Sequence, residues 1–257
     1  MGTLSFQAII FDLDGVITNT AKVHALAWKS LFDSYLRERS LKFHEPFKPF
    51  DLDNDYLSYV DGKSRYDGVA SFLHSRNIDL PFGSSNDNSD QQTICGLGNR
   101  KDNIFNNVLK EKGVEIFDST VQLILQLKSL GIRIAVASSS KNCRLVLEIA
   151  DLQNLFEFRV DGLVAAQDGL KGKPAPDIFL KCSELLKVLP ENSIVVEDAI
   201  SGVQAGRNGH FGLVIGLDRV GLGNALNENG ADIVLQDLSQ ASINDINRWF
   251  KSKNNKK

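Results

Sequence analysis

Cysteine, cationic excess and long apolar runs are all scarce in this chain of 257 residues. Its three cysteines, Cys95, Cys143 and Cys182, lie far apart and form no C-x-x-C pair. An odd, scattered set excludes a disulfide framework and a zinc knuckle and fits a reducing compartment. A net charge of −3 leaves no basic surface for nucleic acid. The cationic "KSKNNKK" at 251–257 reads as a solvated, frayed tail. No apolar run approaches the roughly 18 residues that a membrane span needs. The opening "MGTLSF" places Phe6 where a myristoylation signal wants Ser or Thr, and it lacks the apolar core of a secretory leader. The expected home is the cytoplasm.

What is present suits a globular enzyme. With 42% apolar and 24% charged residues, the chain can bury one large core, or a core with a smaller inserted domain. Short Ile/Val-rich runs read as buried parallel strands: "QAIIFDLD" (7–14), "IRIAVASSS" (132–140), "SIVVED" (193–198), "GLVIG" (212–216) and "ADIVLQDL" (231–238). Helical spacing links Leu123, Leu127 and Leu130, with Gly131 as a C-terminal cap, and it also links Val146, Ile149 and Ala150. Strands and helices alternating at these lengths predict an α/β fold with a doubly wound parallel sheet.

Residues 20–112 break the alternation. "TAKVHALAWKSLFDSYLRER" (20–39) reads as an amphipathic helix with Val23, Leu26, Ala27 and Leu31 on one side, and Trp28 as core packing. The polar "GSSNDNSDQQ" (83–92) reads as an exposed loop. The expected organisation is a catalytic core of residues 1–19 and 113–257, with a helical cap domain of residues 20–112 inserted after the first strand.

Ligands bind outside the carboxyl ends of strands in such sheets. Here the first strand ends in Asp12 and Asp14, the second in Ser138, Ser139 and Ser140, and the third in Glu197 and Asp198. "GLKGKPAPD" sets Lys173 before a proline placed to start a helix. Two like charges one residue apart repel, unless a cation shares them. Carboxylates on two strand ends offer a divalent ion such as Mg²⁺ the hard oxygens it prefers. Strand alternation would put Asp12 and Asp14 on one face, and Gly15 would let the chain turn beyond them.

Other motifs fail on their details. As an EF-hand, "DLDG" has Val16 and Val23 at ligand positions. Lys173 is no P-loop lysine, since Gln167 and Pro174 replace the required Gly and Ser/Thr. "GLGNRK" (96–101) lacks a third glycine and a preceding strand, so it is no dinucleotide fingerprint.

Taken in order, "DLDG" (12–15), "SSS" (138–140), "KPAPD" (173–177) and "VVEDA" (195–199) resemble the four motifs of the haloacid dehalogenase superfamily. The stretches "FDLDGVITNTAKVHALAWK" (11–29), "DGKSR" (61–65), "SSSKN" (138–142) and "GKPAPDIF" (172–179) most resemble its β-phosphoglucomutase-like subfamily. The chain departs from that pattern at Asn19, where aspartate is common, and in the 83–92 loop.

This resemblance implies that Asp12 attacks phosphorus to form an aspartyl phosphate, while Asp14 shuttles the proton of the sugar oxygen. It implies Mg²⁺ held by Asp12, Asp198, the main-chain carbonyl of Asp14 and Glu197, the last directly or through water. Ser138 and Lys173 would hold the transferring phosphoryl oxygens. Arg65, Ser140, Lys141 and Asn142 would bind the distal phosphate, the last three from a helix start that favours anions, and Ser139 beside them would contact substrate. Thr20, His24 and Lys101 would complete the substrate site, although a lone His on such a helix can equally be packing.

A mutase needs a second phosphate clamp and a cap that excludes water, and a phosphatase needs neither. These residues favour a mutase interconverting β-glucose 1-phosphate and glucose 6-phosphate. The alternatives are a phosphatase of small sugar phosphates and a non-catalytic sugar-phosphate sensor. The expected partner is a small sugar phosphate, taken by a monomer without nucleic acid or membrane.

Overall fold

The structure is a computed structural model and describes residues 4–254. The chain divides into two compact units, one running up to Asn19 and resuming at Val114, the other spanning Thr20–Gly113.

The first unit is built on six parallel strands: β1 Ala8–Asp12, β2 Arg133–Ala137, β3 Phe158–Val160, β4 Ser193–Glu197, β5 Leu213–Leu217 and β6 Ile233–Leu235, in the order β3-β2-β1-β4-β5-β6. β1, β4 and β5 are buried along their whole length, which is why they read as unbroken apolar runs. Register levels the strand ends. Phe11 pairs with both Val136 and Val196, so Asp12, Ser138 and Glu197 emerge at one edge of the sheet. The strand order reverses at β1, and the crevice beyond that point is where such sheets bind ligands.

In the second unit, α1 Ala21–Phe43, a single π-helical turn Tyr56–Val60, α2 Arg65–Ser75 and α3 Ile94–Lys112 pack without a strand among the described residues. Its core is aromatic. Phe32 stacks on Trp28 at 5.3 Å between ring centroids and meets Phe72 at 4.1 Å, with Phe50 closing the group. The remaining helices belong to the first unit: α4 Asp118–Ser129, α5 Cys143–Ile149, α6 Gly162–Asp168, α7 Asp177–Leu186, α8 Ile200–Asn208, α9 Gly223–Glu228 and α10 Ile243–Asn254.

Several local expectations are corrected. Strand β3 has no counterpart among the predicted runs, because three edge residues give no periodicity to read. Leu26 is exposed, since the buried face of α1 is set by Ala27, Trp28, Leu31 and Phe32. Leu130 and Ile149 are also exposed. Leu130 lies just past the end of α4, where Gly131 takes a left-handed φ of +77°. Pro174 follows a cis peptide and starts no helix; α7 begins at Asp177. Lys251 to Asn254 close α10 instead of fraying, and the Lys253 ammonium is bound by Asp232. Residues 255–257 of that expected tail and the first three of "MGTLSF" lie outside the described residues.

Candidate active site

β1 delivers Asp12 buried, at 5% exposure, and then stops. Strand alternation does not carry Asp14. The turn beyond does, closed by the Gly15 amide donating to the Thr18 carbonyl at 2.7 Å. Gly15 sits at a φ of +83°, and a Cβ there would lie 1.7 Å from Asp198 Oδ2. Only glycine lets that carboxylate lie against the turn.

Lys173 lies between two carboxylates. Its Nζ donates to Asp12 Oδ1 at 2.5 Å and to Glu197 Oε1. The other Glu197 oxygen accepts from the Ala199 amide at 2.6 Å. Glu197 is tucked under α8, where a Cβ on Gly202 would come within 1.8 Å of Oε1. Burial pushes the Asp12 carboxyl well above the usual carboxylate range; Lys173 opposes the rise, while Glu197 and Asp14 add to it. Burial works against the charge of Lys173, but Asp12 and Glu197 outweigh it and raise that pKa above its ordinary value. Four acidic residues, Asp12, Asp14, Glu197 and Asp198, thus follow β1 and β4 where Lys173 is the one lysine between carboxylates.

Ser138 follows β2 directly. Its Oγ donates to Asp14 Oδ2 at 3.4 Å and accepts the Ser140 amide at 3.1 Å. The expected helix start at Ser140, Lys141 and Asn142 is displaced. α5 begins at Cys143, and the Ser140 hydroxyl takes the Asn142 amide at 3.1 Å, so that N–H is already satisfied. The "SSSKN" segment is instead a loop pressed on Gly162, where a Cβ would meet the Ser139 carbonyl at 2.7 Å and the Lys141 amide at 2.9 Å.

Sequence reasoning missed Arg219. Its Nε donates to the Gly15 carbonyl at 2.9 Å, and its Nη1 donates to the Gln236 carbonyl at 2.9 Å and to Asp237 Oδ2 at 3.2 Å. The guanidinium lies 3.8 Å from the ring centroid of Phe117. A usable signal existed: "DRV" follows β5, so Arg219 leaves the same sheet edge as the other site residues.

In the helical unit, buried Thr20 immediately precedes α1, and its carbonyl accepts the His24 amide at 2.9 Å. His24 stacks on Phe105 at 4.0 Å, and its Nδ1 meets Lys101 Nζ. That ammonium, in a side chain only 5% exposed, lies 5.0 Å from the Trp28 ring centroid and 4.9 Å from that of Phe105. Trp28 therefore does more than fill core. Arg65 pairs with Asp102, the residue after Lys101, at 2.9 Å.

Among the described residues, no three acidic, His or Cys side chains already stand together as a metal site. Lys173 occupies the space between Asp12 and Glu197. The donor chemistry still suits a divalent cation. The oxygens are hard, and Asp198 lies against the Gly15 turn that follows Asp12 and Asp14.

The comparisons with known proteins agree with one another. A sequence model of haloacid dehalogenase-like hydrolases matches residues 6–210. A β-phosphoglucomutase of Mycobacterium bovis is 46% identical over 237 residues, covering 91% of this chain and 90% of that protein. A β-phosphoglucomutase of Bacillus subtilis is 31% identical, covering 92% of each. Among solved structures, a β-phosphoglucomutase from Clostridium difficile superposes with a TM-score of 0.75 at 27% identity, over 96% of this chain and 98% of that one.

Proposed function

The chain belongs to the haloacid dehalogenase-like hydrolase family, and from that premise we propose that it is a β-phosphoglucomutase working through a phosphoaspartate on Asp12. The observation that carries this reading is the buried Asp12–Lys173–Glu197 array with Asp14 one turn beyond, in a chain 46% identical to a β-phosphoglucomutase.

The residues divide the work as follows. Starting from the phosphoaspartate, the 6-hydroxyl of β-glucose 1-phosphate loses its proton to Asp14, and its oxygen attacks phosphorus. The bond from phosphorus to Asp12 breaks, which leaves a glucose bisphosphate and free carboxylate. The bisphosphate then presents its other end. Asp12 attacks the C1 phosphate, Asp14 returns the proton to the departing sugar oxygen, and glucose 6-phosphate leaves. Lys173 and Ser138 hold the phosphoryl oxygens during both transfers, where positioning and charge neutralisation supply most of the acceleration.

Mg²⁺ would be held by Asp12, Asp198 and the Asp14 carbonyl, with Glu197 reaching it through water because its oxygens already serve Lys173 and Ala199. When bound, the ion supplies charge neutralisation at the phosphoryl oxygens. We assign catalysis to the sheet unit. Substrate selection falls to Thr20, His24, Arg65 and Lys101 of the helical unit. Ser139, Ser140, Lys141 and Asn142 offer polar groups to the far phosphate. Three buried, reduced cysteines support a cytoplasmic home, and the likeness to β-phosphoglucomutases supports a sugar-phosphate partner.

The test is the product. Purified protein with Mg²⁺ and β-glucose 1-phosphate should give glucose 6-phosphate. Stoichiometric free glucose and inorganic phosphate would make it a phosphatase instead.

A further inference from the structure

Apart from Lys101, the "GLGNRK" motif (96–101) and the polar 83–92 loop have no role in the chemistry above, yet they are bonded to each other. Asn99 Nδ2 donates to the carbonyls of Ser85 at 3.2 Å and Asp87 at 2.9 Å. Arg100 Nε donates to the Ser89 carbonyl at 2.8 Å. Thr93 caps α3 by accepting the Gly96 amide at 2.9 Å, and its hydroxyl donates to Asp87 at 2.6 Å. The two glycines make room. A Cβ on Gly96 would stand 2.4 Å from the Gln91 carbonyl oxygen. One on Gly98 would stand 2.6 Å from the Tyr66 ring and 3.3 Å from the Arg65 Cγ. Finally, the Tyr66 hydroxyl donates to Asn99 Oδ1 at 2.9 Å and ties α2 to α3.

The consequence is geometric. Residues 99 and 101 are about 200° apart around a helix, so α3 can be clamped on one side while Lys101 works on another. Tyr66 follows Arg65 in sequence, and Asp102, which pairs with Arg65, follows Lys101. The Tyr66–Asn99 hydrogen bond and the Arg65–Asp102 pair thus both link the helices that carry the two cations.

We infer that Asn99 is a positioning residue: with Tyr66, and buttressed by the 83–92 loop, it sets the separation of Arg65 and Lys101 and so the enzyme's grip on a phosphorylated sugar. The inference rests on the reading that Arg65 and Lys101 contact substrate. The glycines, the asparagine and the arginine of the motif are thus accounted for by a loop clamp.

The experiment measures two reactions, isomerisation of β-glucose 1-phosphate and hydrolysis of acetyl phosphate, in Asn99→Ala, Tyr66→Phe, Arg65→Ala and Lys101→Ala, with circular dichroism on each. Asn99→Ala should raise KM for β-glucose 1-phosphate about tenfold, and Tyr66→Phe about threefold, because misplacement by a fraction of an ångström weakens charge-assisted contacts. Neither should move acetyl phosphate turnover beyond about twofold, whereas a general loss of structure would lower both reactions together. If Arg65→Ala and Lys101→Ala raise KM while Asn99→Ala and Tyr66→Phe leave it unchanged, the inference is overturned and the substrate reading stands. If Arg65→Ala and Lys101→Ala are both silent, the substrate reading fails and the inference falls with it. Should Asn99→Ala lose helical structure, the folded Tyr66→Phe decides: an unchanged KM overturns the clamp, and a selective rise supports it.

Discussion

In the sheet unit the ammonium of Lys173 is gripped by two carboxylates, whereas in the helical unit that of Lys101 lies over the rings of Trp28 and Phe105 beside His24. Both lysines are almost wholly buried, so the contrast is one of charge and not of exposure. Carboxylates cancel an ammonium's field. Ring faces attract it by their quadrupole and carry no formal charge. The sheet edge is acid-rich and suited to receive a cation, while the cations of the helical unit are the ones we propose for a phosphate. This difference suggests a division of labour, with chemistry common to all phosphoryl donors on one unit and, apart from the 139–142 loop, recognition of a phosphorylated sugar on the other.

The most severe way to test that division is to remove the nucleophile. Asp12→Asn should lower both isomerisation and acetyl phosphate hydrolysis by at least on the order of 10³ while circular dichroism stays native, since the amide fills the same space but cannot form a phosphoaspartate. Near-normal turnover in a folded sample would remove Asp12 from the chemistry.

Arg65→Ala should act on one reaction only. Losing a desolvated guanidinium–phosphate contact costs about 2 to 3 orders of magnitude in isomerisation. Acetyl phosphate has no distal phosphate, and its hydrolysis should change little. An equal fall in both would mean that Arg65, through its pair with Asp102, supports the helical unit generally.

How much of this was legible follows from distance along the chain and length of pattern. Asp12, Ser138 and Glu197 were readable because buried parallel strands stop at polar residues, and a doubly wound sheet must bring those ends to one edge. Lys173 was readable from "KPAPD", though the helix start at Pro174 was not: the chain makes a further turn before Asp177. β3 was too short to show a period. The start of α5 was hidden by a local competition, in which the Ser140 hydroxyl takes an amide that the helix would otherwise use. The aromatic bed of Lys101 joins residues from α1 and α3, and no local pattern announces such a pairing.

Arg219 was hidden for the same reason, since its partner Gly15 is 204 positions away. Arg219→Met keeps the length of the side chain but loses the fork that binds Gly15, Gln236 and Asp237 at once. We expect kcat to fall about tenfold in both reactions, with KM for β-glucose 1-phosphate unchanged, because the turn holding Asp14 is loosened while the helical unit is untouched. A selective effect on the sugar phosphate would break the division of labour at this residue.

The smallest effect concerns the partner of that arginine. Burial alone would raise the Asp237 carboxyl, but Ser239, Ser119 and Arg219 bond to its charged form and hold it at about 2, below the ordinary 3.8. A carboxyl with a depressed folded-state pKa contributes stability that is fully present above the unfolded value. That contribution is lost as pH falls from about 4 to about 2. Asp237→Asn should therefore be less stable than wild type at neutral pH, and the gap should narrow across that window. The sheet unit alone can be followed by Trp249 fluorescence in a Trp28→Phe background, since these are the two tryptophans of the chain. Urea midpoints would be compared from pH 7 downward, as far as the protein stays folded. A gap that stays constant to the acid limit would show that Asp237 braces the Gly15 turn by shape and not by charge, and it would remove electrostatics from that part of the sheet unit.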